Sequence, residues 1–337
     1  MAMPASAPAP QRTATSLIDH YRRHARVLPW RAPPGAARAD PYRVWLSEVM
    51  LQQTTVATVI PRFLRFVERW PNVEALAAAP DEDVLHEWAG LGYYARARNL
   101  IACARVVAAR GGFPDSEAGL RALPGIGDYT AAAIAAIAFG RDSVAIDTNV
   151  ERVVARLHAT SDKAAIRAAA AAMVPVGQAG DFAQAMMDLG ATLCRPRNPD
   201  CGVCPLNTYC RAFAMGTPEA FPVKAARKVR PVRHGVAHWI ERGGAVWLVR
   251  RPAKGLLGGM AALPGPGWGD APASGPELAE VRHGFTHFEL RLAVVAAGSQ
   301  GGDGWWQPID RLADAGLPTL YRRAVEAVLA QRKQLAA

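Results

Sequence analysis

The pattern of apolar and polar positions divides the chain into two parts of different character. From residue 14 to about residue 216, apolar residues recur at helical spacing, and few stretches alternate with the period of two that is typical of strands. This part of the chain is therefore predicted to be all-α. Helices are expected over residues 41–53, 81–90, 93–110, 128–139, 148–158, 163–175 and 181–190.

The pattern changes after about residue 216. Residues 236–241 and 245–250 alternate around Gly243-Gly244, which predicts a β-hairpin, and residues 287–296 are a further strand candidate. Residues 320–333 have the spacing of an amphipathic helix. The second part is therefore predicted to be an α+β domain.

The composition of the connecting segments sets the domain boundaries. The first residues are rich in Ala and Pro, and the basic, proline-containing stretch 224–233 is typical of a linker that lies near phosphates. We predict a disordered tail over 1–13, an all-α domain over 14–216, a basic linker over 217–233 and an α+β domain over 234–337.

Charge adds a preference for a polyanionic partner. Lys and Arg outnumber Asp and Glu by 39 to 29, which gives a formal net charge of +10. Such an excess favours binding to a polyanion, although a role of the charge in solubility alone would also account for the excess.

The longest apolar run, residues 131–139, is too short to span a bilayer, and the N-terminal residues lack the order of a signal peptide. We expect a cytoplasmic protein without a membrane partner, in which cysteines stay reduced.

Four of the five cysteines form a cluster with the spacing C-x6-C-x2-C-x5-C: Cys194, Cys201, Cys204 and Cys210. In a reducing compartment such a cluster favours metal binding over disulfides. Structural zinc sites usually pair two short Cys-x-x-Cys knuckles, whereas four thiolates from one compact loop can hold a cubane iron–sulfur cluster. The chemistry of these residues alone favours an iron–sulfur cluster over zinc only modestly. Cys103, in an apolar helical run, is expected to be an inert core residue.

A second motif, Leu123-Pro-Gly-Ile-Gly-Asp-Tyr-Thr130, precedes a predicted helix of small apolar residues. Gly125 and Gly127 would let backbone amides approach a phosphate, and the helix N-terminus would add a favourable dipole. The alternative is an ordinary tight turn, because many helix–helix connections use glycine.

Together these motifs resemble the helix-hairpin-helix DNA glycosylases, and within them the MutY family of adenine-specific mismatch glycosylases. The segments that carry the resemblance cover nearly the whole chain: residues 28–31 (LPWR), 45–63, 90–100, the 123–130 hairpin, 145–153, 183–191 and the cysteine loop. The resemblance implies a [4Fe-4S] cluster on the four cysteines and double-stranded DNA as the partner of a monomeric, nucleoid-associated bacterial protein.

The resemblance also implies the catalytic residues. Cleavage of an N-glycosidic bond needs protonation of the leaving base and stabilisation of an oxocarbenium-like sugar, which two carboxylates can supply. By resemblance, Glu48 is the general acid and Asp147 stabilises the cation, with Tyr129 and Asn149 as their supporting pair. The alternatives are a solvated helix acid for Glu48 and a helix N-cap for Asp147. Thr148 stands where many family members have glycine, which leaves the local backbone in question.

Further residues match the family's base-recognition positions. Gln52 and Tyr93 correspond to wedge positions beside an oxidised guanine, and Trp30, Arg31 and Gln184 to residues that line the adenine pocket. The alternative for such aromatic residues is a place in the core. Endonuclease III-like enzymes carry a lysine where this chain has Tyr129, and that amine supports strand cleavage through a Schiff base.

The second domain resembles a Nudix fold over residues 246–264, but residues 265–280 lack the acidic helix that a Nudix hydrolase needs. Phe285, Thr286 and His287 match the loop with which the family recognises 8-oxoguanine, with Thr in place of Ser. The alternative is an ordinary strand segment. We therefore expect a reader of the damaged base rather than a hydrolase.

The predicted function is a monofunctional glycosylase that removes adenine opposite 8-oxoguanine or guanine. Two rivals stay open at this level: an endonuclease III-type lyase or thymine/uracil mismatch glycosylase, and a non-catalytic iron–sulfur DNA-binding or redox module. A third, nucleotide-pyrophosphate hydrolysis, is disfavoured by the missing Nudix acids.

Overall fold

The computed structural model describes residues 10–223, 229–252, 255–269, 277–298 and 303–335. These residues form two compact units. The first unit comprises residues 10–79 and 99–223, and the second comprises residues 80–98 together with the described residues from 229 onward. Each unit is considered by itself below.

The first unit is built from helices. They are α1 (Pro10–His24), α2 (Pro41–Leu51), α3 (Val56–Arg69), α4 (Val73–Ala78), the larger part of α6 (Tyr94–Ala109), α7 (Glu117–Arg121), α8 (Asp128–Ile137), α9 (Thr148–His158), α10 (Lys163–Met173), α11 (Ala179–Thr192) and α12 (Arg211–Ala214). Short 3-10 turns at Cys201–Val203, Asn207–Tyr209 and Pro218–Ala220 complete it.

Helix α8 lies at the centre of this unit. Every residue from Thr130 to Ile137 is buried, and α2, α7 and α11 pack around the helix. Five of the eight residues in that stretch are alanines: Ala131, Ala132, Ala133, Ala135 and Ala136. Small side chains let neighbouring helices approach closely. Helices α2 and α11 therefore lie close to α8, and α9 packs against α11.

Sequence-coded caps fix where the site-bearing helices begin. Asp40 accepts hydrogen bonds from the backbone amides of Tyr42 and Arg43, and Pro41 occupies the first turn of α2. Asp147 caps α9 in the same way through the amide of Val150. These caps place α2 and α9 within two residues of their predicted starts.

The second unit contains α5 (Asp81–Glu87), the start of α6 and two small sheets. One sheet has the order β1-β6-β5, with β1 (Val232–Trp239) parallel to β6 (Glu289–Ala296) and β5 (Glu277–Gly284) antiparallel to β6. In the other, β3 (Ala245–Arg250) pairs antiparallel with β2 (Glu241–Arg242), β4 (Ala261–Ala262) and β7 (Gly304–Pro308).

The core of the second unit forms between strands and one helix. Helix α13 (Thr319–Leu335) packs against β5 and β6, and a 3-10 helix (Ile309–Ala315) precedes it. Leu248, Leu290 and Leu292 are fully buried there and meet Leu320 and Val328 of α13. Alternating buried positions along β6 supply this face, as the predicted amphipathic pattern requires.

Several predicted elements differ from those observed. The predicted tail is helical from Pro10, because α1 begins there, and residues 1–9 lie outside the described residues. The predicted hairpin is wrong in its first strand: only Glu241–Arg242 pairs with β3, whereas β1 pairs with β6, 50 or more residues later. Strand β6 begins at Glu289, two residues after the predicted start.

The domain boundaries also differ from the prediction in detail. Residues 80–98, expected within the helical domain, belong to the second unit. Within the predicted linker 217–233, Pro218–Ala220 forms a 3-10 turn and Val232 already begins β1, while residues 224–228 lie outside the described part of the chain.

Candidate active site

A cavity of about 730 Å³ lies in the first unit, among α2, α8, α9, α11 and the loop that precedes α2. Its lining includes eight residues that the sequence singled out in separate segments: Trp30, Arg31, Glu48, Gln52, Tyr129, Asp147, Asn149 and Gln184. A volume of this size is typical of a pocket that holds a small molecule or a nucleobase with part of its sugar.

Glu48 is the buried acid of this cavity. It lies on α2 and is only 7% exposed. The pKa of the Glu48 carboxyl is raised to about 7, chiefly by burial. The hydrogen bond with Tyr129 lowers this pKa, the nearby charge of Asp147 raises it, and the charge of Arg31 lowers it. A carboxyl group with this pKa carries its proton near neutral pH, which is the property required of a general acid.

Asp147 is held rigidly at the N-terminus of α9. Its Oδ1 accepts a hydrogen bond of 2.7 Å from the amide of Val150, and its Oδ2 accepts one of 2.9 Å from Nδ2 of Asn149. Each carboxyl oxygen thus accepts one hydrogen bond from the protein. Asp147 is therefore an N-cap and also a cavity-lining carboxylate. Thr148 is the first residue of α9 and has no positive φ, so the side chain that replaces glycine causes no backbone strain.

Tyr129 interacts with both carboxyl groups of the cavity. Burial raises the pKa of its phenol well above the usual value, and the charges of Glu48 and Asp147 raise it further. The hydroxyl therefore stays protonated and can donate. Its oxygen also lies 4.0 Å from Sδ of Met187, a cavity residue on α11.

The cavity walls carry apolar and polar groups of different kinds. Trp30 is buried and contacts Phe63 edge-on, with ring centroids 5.2 Å apart. Gln184 is also buried, and its Nε2 lies 3.4 Å from the carbonyl of Gly180, one turn earlier on α11. At the end of α2, Nε2 of Gln52 lies 3.4 Å from the Thr130 hydroxyl.

Sequence reasoning missed other residues of the cavity. Arg26, Met187 and Glu151 also line it. Arg26 lies two residues before the Leu28–Arg31 motif, and Met187 lies three residues after Gln184 on the same helix. Arg26 was therefore indicated only by its proximity to that motif, whereas Met187 and Glu151 lie inside the family segments 183–191 and 145–153 without a role having been assigned to them.

The four clustered cysteines line a separate small cavity of about 30 Å³ in the first unit. No three His, Cys, Asp or Glu side chains among the described residues converge as ligands of a single metal ion. Four thiols that line one small cavity are a ligand set that a multi-iron cluster can use. Burial raises the pKa of the Cys204 thiol to about 12, so a bound cationic centre is what would allow four thiolates to lie together.

Helix α9 connects the cysteine loop to the larger cavity. The Arg152 guanidinium donates to Oδ1 of Asn149 at 2.8 Å and to the carbonyl of Cys194 at 2.9 Å. One turn later, Arg156 is 2% exposed and donates to Sγ of Cys194 at 3.3 Å and to the carbonyl of Arg195 at 2.7 Å. The same helix thus bears Asp147 at its start and holds the cysteine loop along its side.

Comparison with known proteins identifies the family. Models of three families match the chain: the HhH-GPD superfamily of base excision DNA repair proteins over residues 46–178, the iron-sulfur binding domain of endonuclease III over 194–210, and the NUDIX domain over 235–327. The adenine DNA glycosylase of Homo sapiens is 34% identical, over 85% of this chain and 67% of the human protein. That of Mycolicibacterium smegmatis is 42% identical, over 60% of this chain and 70% of its own length. This chain belongs to the adenine DNA glycosylase family.

Adenine DNA glycosylases differ in length from this chain. The Arabidopsis thaliana member is 38% identical over 75% of this chain, which spans 47%, or about half, of the plant protein. Among solved structures, a thermostable thymine-DNA glycosylase matches with a TM-score of 0.54 and 28% identity, over 60% of this chain and 95% of its own. The iron-sulfur match begins at Cys194 and ends at Cys210, which assigns the four clustered cysteines to a [4Fe-4S] cluster. The HhH-GPD match assigns the helical unit to the base excision DNA repair proteins.

In this adenine DNA glycosylase family member, the glycine turn lies between α7 and α8, outside the cavity lining. Gly125 has a φ of +73°, a conformation that favours glycine, and a Cβ there would lie only 2.6 Å from Cβ of Asn99. Both the backbone conformation and the close approach of Asn99 therefore require glycine. Gly127 caps α8 with a φ of −90°, and a Cβ there would meet nothing within 4 Å. The approach of a phosphate to this turn stays a prediction.

The remaining predicted residues lie in the second unit. Tyr93 is 51% exposed, has a φ of +48° and is covered on one face by Arg96. Thr286 and His287 are exposed in a tight turn between β5 and β6, closed by a hydrogen bond of 2.9 Å from the Phe285 amide to the Phe288 carbonyl. These residues are thus in a loop rather than in a strand.

The turn rests on an aromatic cluster. The Phe285 ring stacks on Phe288 with centroids 4.8 Å apart and lies 5.3 Å from Trp268. The polar side chains of the turn are therefore exposed while its apolar side chain anchors it.

Within the described residues, no helix combines the length and apolar character needed to cross a membrane.

Proposed function

We propose that this chain is a monofunctional glycosylase that hydrolyses the N-glycosidic bond of adenine opposite 8-oxoguanine or guanine in duplex DNA. The observation that carries the proposal is the pairing, in one cavity, of a buried carboxyl group of raised pKa with a second carboxylate that accepts hydrogen bonds from two donors. A purine N-glycosidic bond needs one of each.

In the proposed reaction, Glu48 delivers its proton to N7 of the extruded adenine as the bond to the sugar lengthens. Asp147 lies at the start of α9 with its carboxylate towards the developing positive charge at the anomeric carbon, which it stabilises until water adds. Tyr129 donates a hydrogen bond to Glu48 and orients it. A positioned general acid accounts for roughly 10²- to 10⁴-fold in rate.

The absence of an amine from the described cavity lining supports monofunctionality. Position 129 bears a phenol, and no lysine lines the cavity among the described residues. Schiff-base formation at the sugar requires such an amine, so the abasic product would leave the enzyme uncleaved.

The exposed turn of the second unit supports selection of the opposite base. We propose that Thr286 and His287 hydrogen-bond to 8-oxoguanine while Phe285 anchors the turn, and that Gln52 and Tyr93 act as wedges beside the damaged base. The protein would act as a monomer on nucleoid DNA.

Base release from defined duplexes tests the proposed reaction. The full-length chain is incubated in single-turnover format with adenine opposite 8-oxoguanine, guanine or thymine. Release is expected to be fastest opposite 8-oxoguanine, slower opposite guanine and slowest opposite thymine. No adenine release from the first duplex would overturn the proposal, and excision of thymine or uracil instead would favour the rival mismatch glycosylase.

Borohydride trapping tests monofunctionality separately. On the adenine–8-oxoguanine duplex, no stoichiometric covalent adduct is expected from the wild-type chain. The Tyr129→Lys variant serves as the positive control, since it supplies an amine in the cavity. Efficient trapping by the wild-type chain would contradict the assignment.

A further inference from the structure

Asp188 is a buried carboxylate on α11 that belongs to none of the predicted site residues. It is 6% exposed, and three donors from the loop after α1 converge on it. Nε of Arg26 lies 2.6 Å from Oδ1, the Arg26 amide lies 3.1 Å from Oδ2, and Nη1 of Arg31 lies 2.8 Å from the same Oδ2. The two partners lie 162 and 157 residues away in sequence.

The arrangement matters because Arg31 is itself a wall of the active-site cavity. Its side chain is 7% exposed, and its charge acts on both Glu48 and Tyr129. Among the described residues, the ion pair of Arg31 is with Asp188 and not with Glu48. A guanidinium that is free to pair with Glu48 would hold that carboxyl in its ionised form, which cannot protonate a leaving base.

We propose that Asp188 is a positioning residue that retains the Arg31 guanidinium and neutralises its charge, so that Glu48 stays available as the proton donor. The inference rests on the proposed glycosylase reaction. Arg26 completes the arrangement by holding Asp188 from its other side, since one carboxylate shared by two guanidiniums keeps both of its oxygens occupied.

Electrostatics agrees with the geometry. Burial by itself would raise the pKa of Asp188, but the hydrogen bonds and charges of Arg31 and Arg26 hold it below the usual value. Asp188 is therefore a permanent anion at the pH values where Glu48 exchanges its proton. The other groups that bear on this region are Tyr129 and Asp147, which act on Glu48, and Tyr21 of α1. Besides Arg31, Asp188 and Arg26, the charge of Asp181 acts on Tyr21.

The test is the pH dependence of single-turnover adenine release by the full-length, cluster-loaded protein. In Asp188→Asn, the unneutralised Arg31 should lower the pKa of Glu48 and shift the alkaline limb of the profile down by about one pH unit. Release would then slow about tenfold near pH 8 but less than about threefold near pH 5.5. The dissociation constant for the duplex and the active fraction should stay within twofold, because only the chemical step is affected.

Second-site substitution separates positioning from simple structural support. Adding Arg31→Gln to Asp188→Asn removes the guanidinium that is expected to lower the pKa of Glu48, so the alkaline limb should return towards that of the wild type. Arg31→Gln alone should move the limb upward, which keeps the idea testable if Asp188→Asn fails to fold. Asp181→Asn, on the same helix, is the matched control and should leave the profile unchanged.

The outcomes are distinguishable. If the wild-type chain releases no adenine, the proposed function itself fails. If it does release adenine, a uniformly slower Asp188→Asn profile with an unmoved limb would overturn the positioning role, as would a limb that the second substitution does not restore. An unmoved limb in Arg31→Gln alone would count equally against it.

Discussion

Nδ2 of Asn149 donates a hydrogen bond of 2.9 Å to Oδ2 of Asp147, while Oδ1 of the same carboxylate caps α9. The asparagine is in turn held by Arg152 through its own Oδ1. Both oxygens of Asp147 are thus occupied by donors before any substrate enters. These hydrogen bonds hold the carboxylate in one orientation, and such preorganisation is what stabilisation of a cationic sugar requires.

Loss of this donor should slow the reaction. In Asn149→Ala, Asp147 retains its cap but loses a hydrogen bond to a charged group, which is worth about 1.5–3 kcal/mol. Single-turnover adenine release is expected to fall about 10- to 100-fold. Asn72→Ala is the control, because Asn72 only caps α4. That variant should lose about 1 kcal/mol of unfolding free energy and keep its rate. Equal rates for both variants would contradict the role of Asn149.

The pKa of Glu48 predicts the alkaline limb of activity. Burial raises this pKa to about 7, and the acid must carry a proton to protonate adenine. The rate of base release should therefore be nearly constant at low pH and fall about tenfold for each pH unit well above 7. The Glu48→Gln variant should release adenine at least about 100-fold more slowly than the wild type at low pH, and its rate should not show the fall above pH 7. A wild-type rate that rises through pH 8 would contradict the assignment of Glu48 as the acid.

The same pKa predicts a stability gain in Glu48→Gln. The folded-state value of about 7 lies above the ordinary 4.5, so the stability that Glu48 contributes is present at low pH and is lost as pH rises from 4.5 to 7. At pH 8 the ionised carboxylate costs on the order of 3 kcal/mol, which glutamine avoids. Thermal unfolding should show Glu48→Gln more stable than the wild type at pH 8, with a much smaller difference at pH 5. Identical differences at the two pH values would contradict the burial argument.

The sequence predicts the parts of this site that depend on local patterns. Asp40 and Asp147 precede helical periodicity by the spacing of N-caps, so α2 and α9 begin where expected. The family motifs then indicate which side chains on those helices share a cavity. Asp188 was not predicted, because its partner Arg31 is 157 residues away and nothing local to either residue records the ion pair.

The second unit shows the same division between local and distant information. Alternation identified β3 and the Gly243-Gly244 turn, whose two residues have positive φ. Alternation does not predict which strand pairs with which, and β1 pairs with β6, more than 50 residues later in the sequence. The start of α1 at Pro10 was missed because an Ala- and Pro-rich composition hides the apolar face that Leu17 and Tyr21 bury.

The buried guanidinium of Arg156 predicts how the cysteine loop is held. Four acceptors share it: Sγ of Cys194 and the carbonyls of Arg195, Pro196 and Phe221. Arg156→Ala leaves these acceptors without their donor and should cost at least about 3 kcal/mol of unfolding free energy. Denaturant unfolding, followed together with iron content, measures the effect. Arg167→Ala, at an exposed position of α10, is the control and should change neither quantity.

The exposed turn of the second unit predicts discrimination without a change in chemistry. Thr286 and His287 are exposed while Phe285 anchors the turn on Phe288, so removal of the two polar side chains should leave the fold intact. Two lost hydrogen bonds of about 0.5–1.5 kcal/mol each would lower the preference for 8-oxoguanine over guanine about tenfold. The Thr286→Ala/His287→Ala variant should therefore show a reduced ratio of adenine-release rates on the two duplexes. Glu280→Gln, on the preceding strand, should preserve that ratio, and unchanged discrimination in the double variant would remove the turn from the recognition of the damaged base.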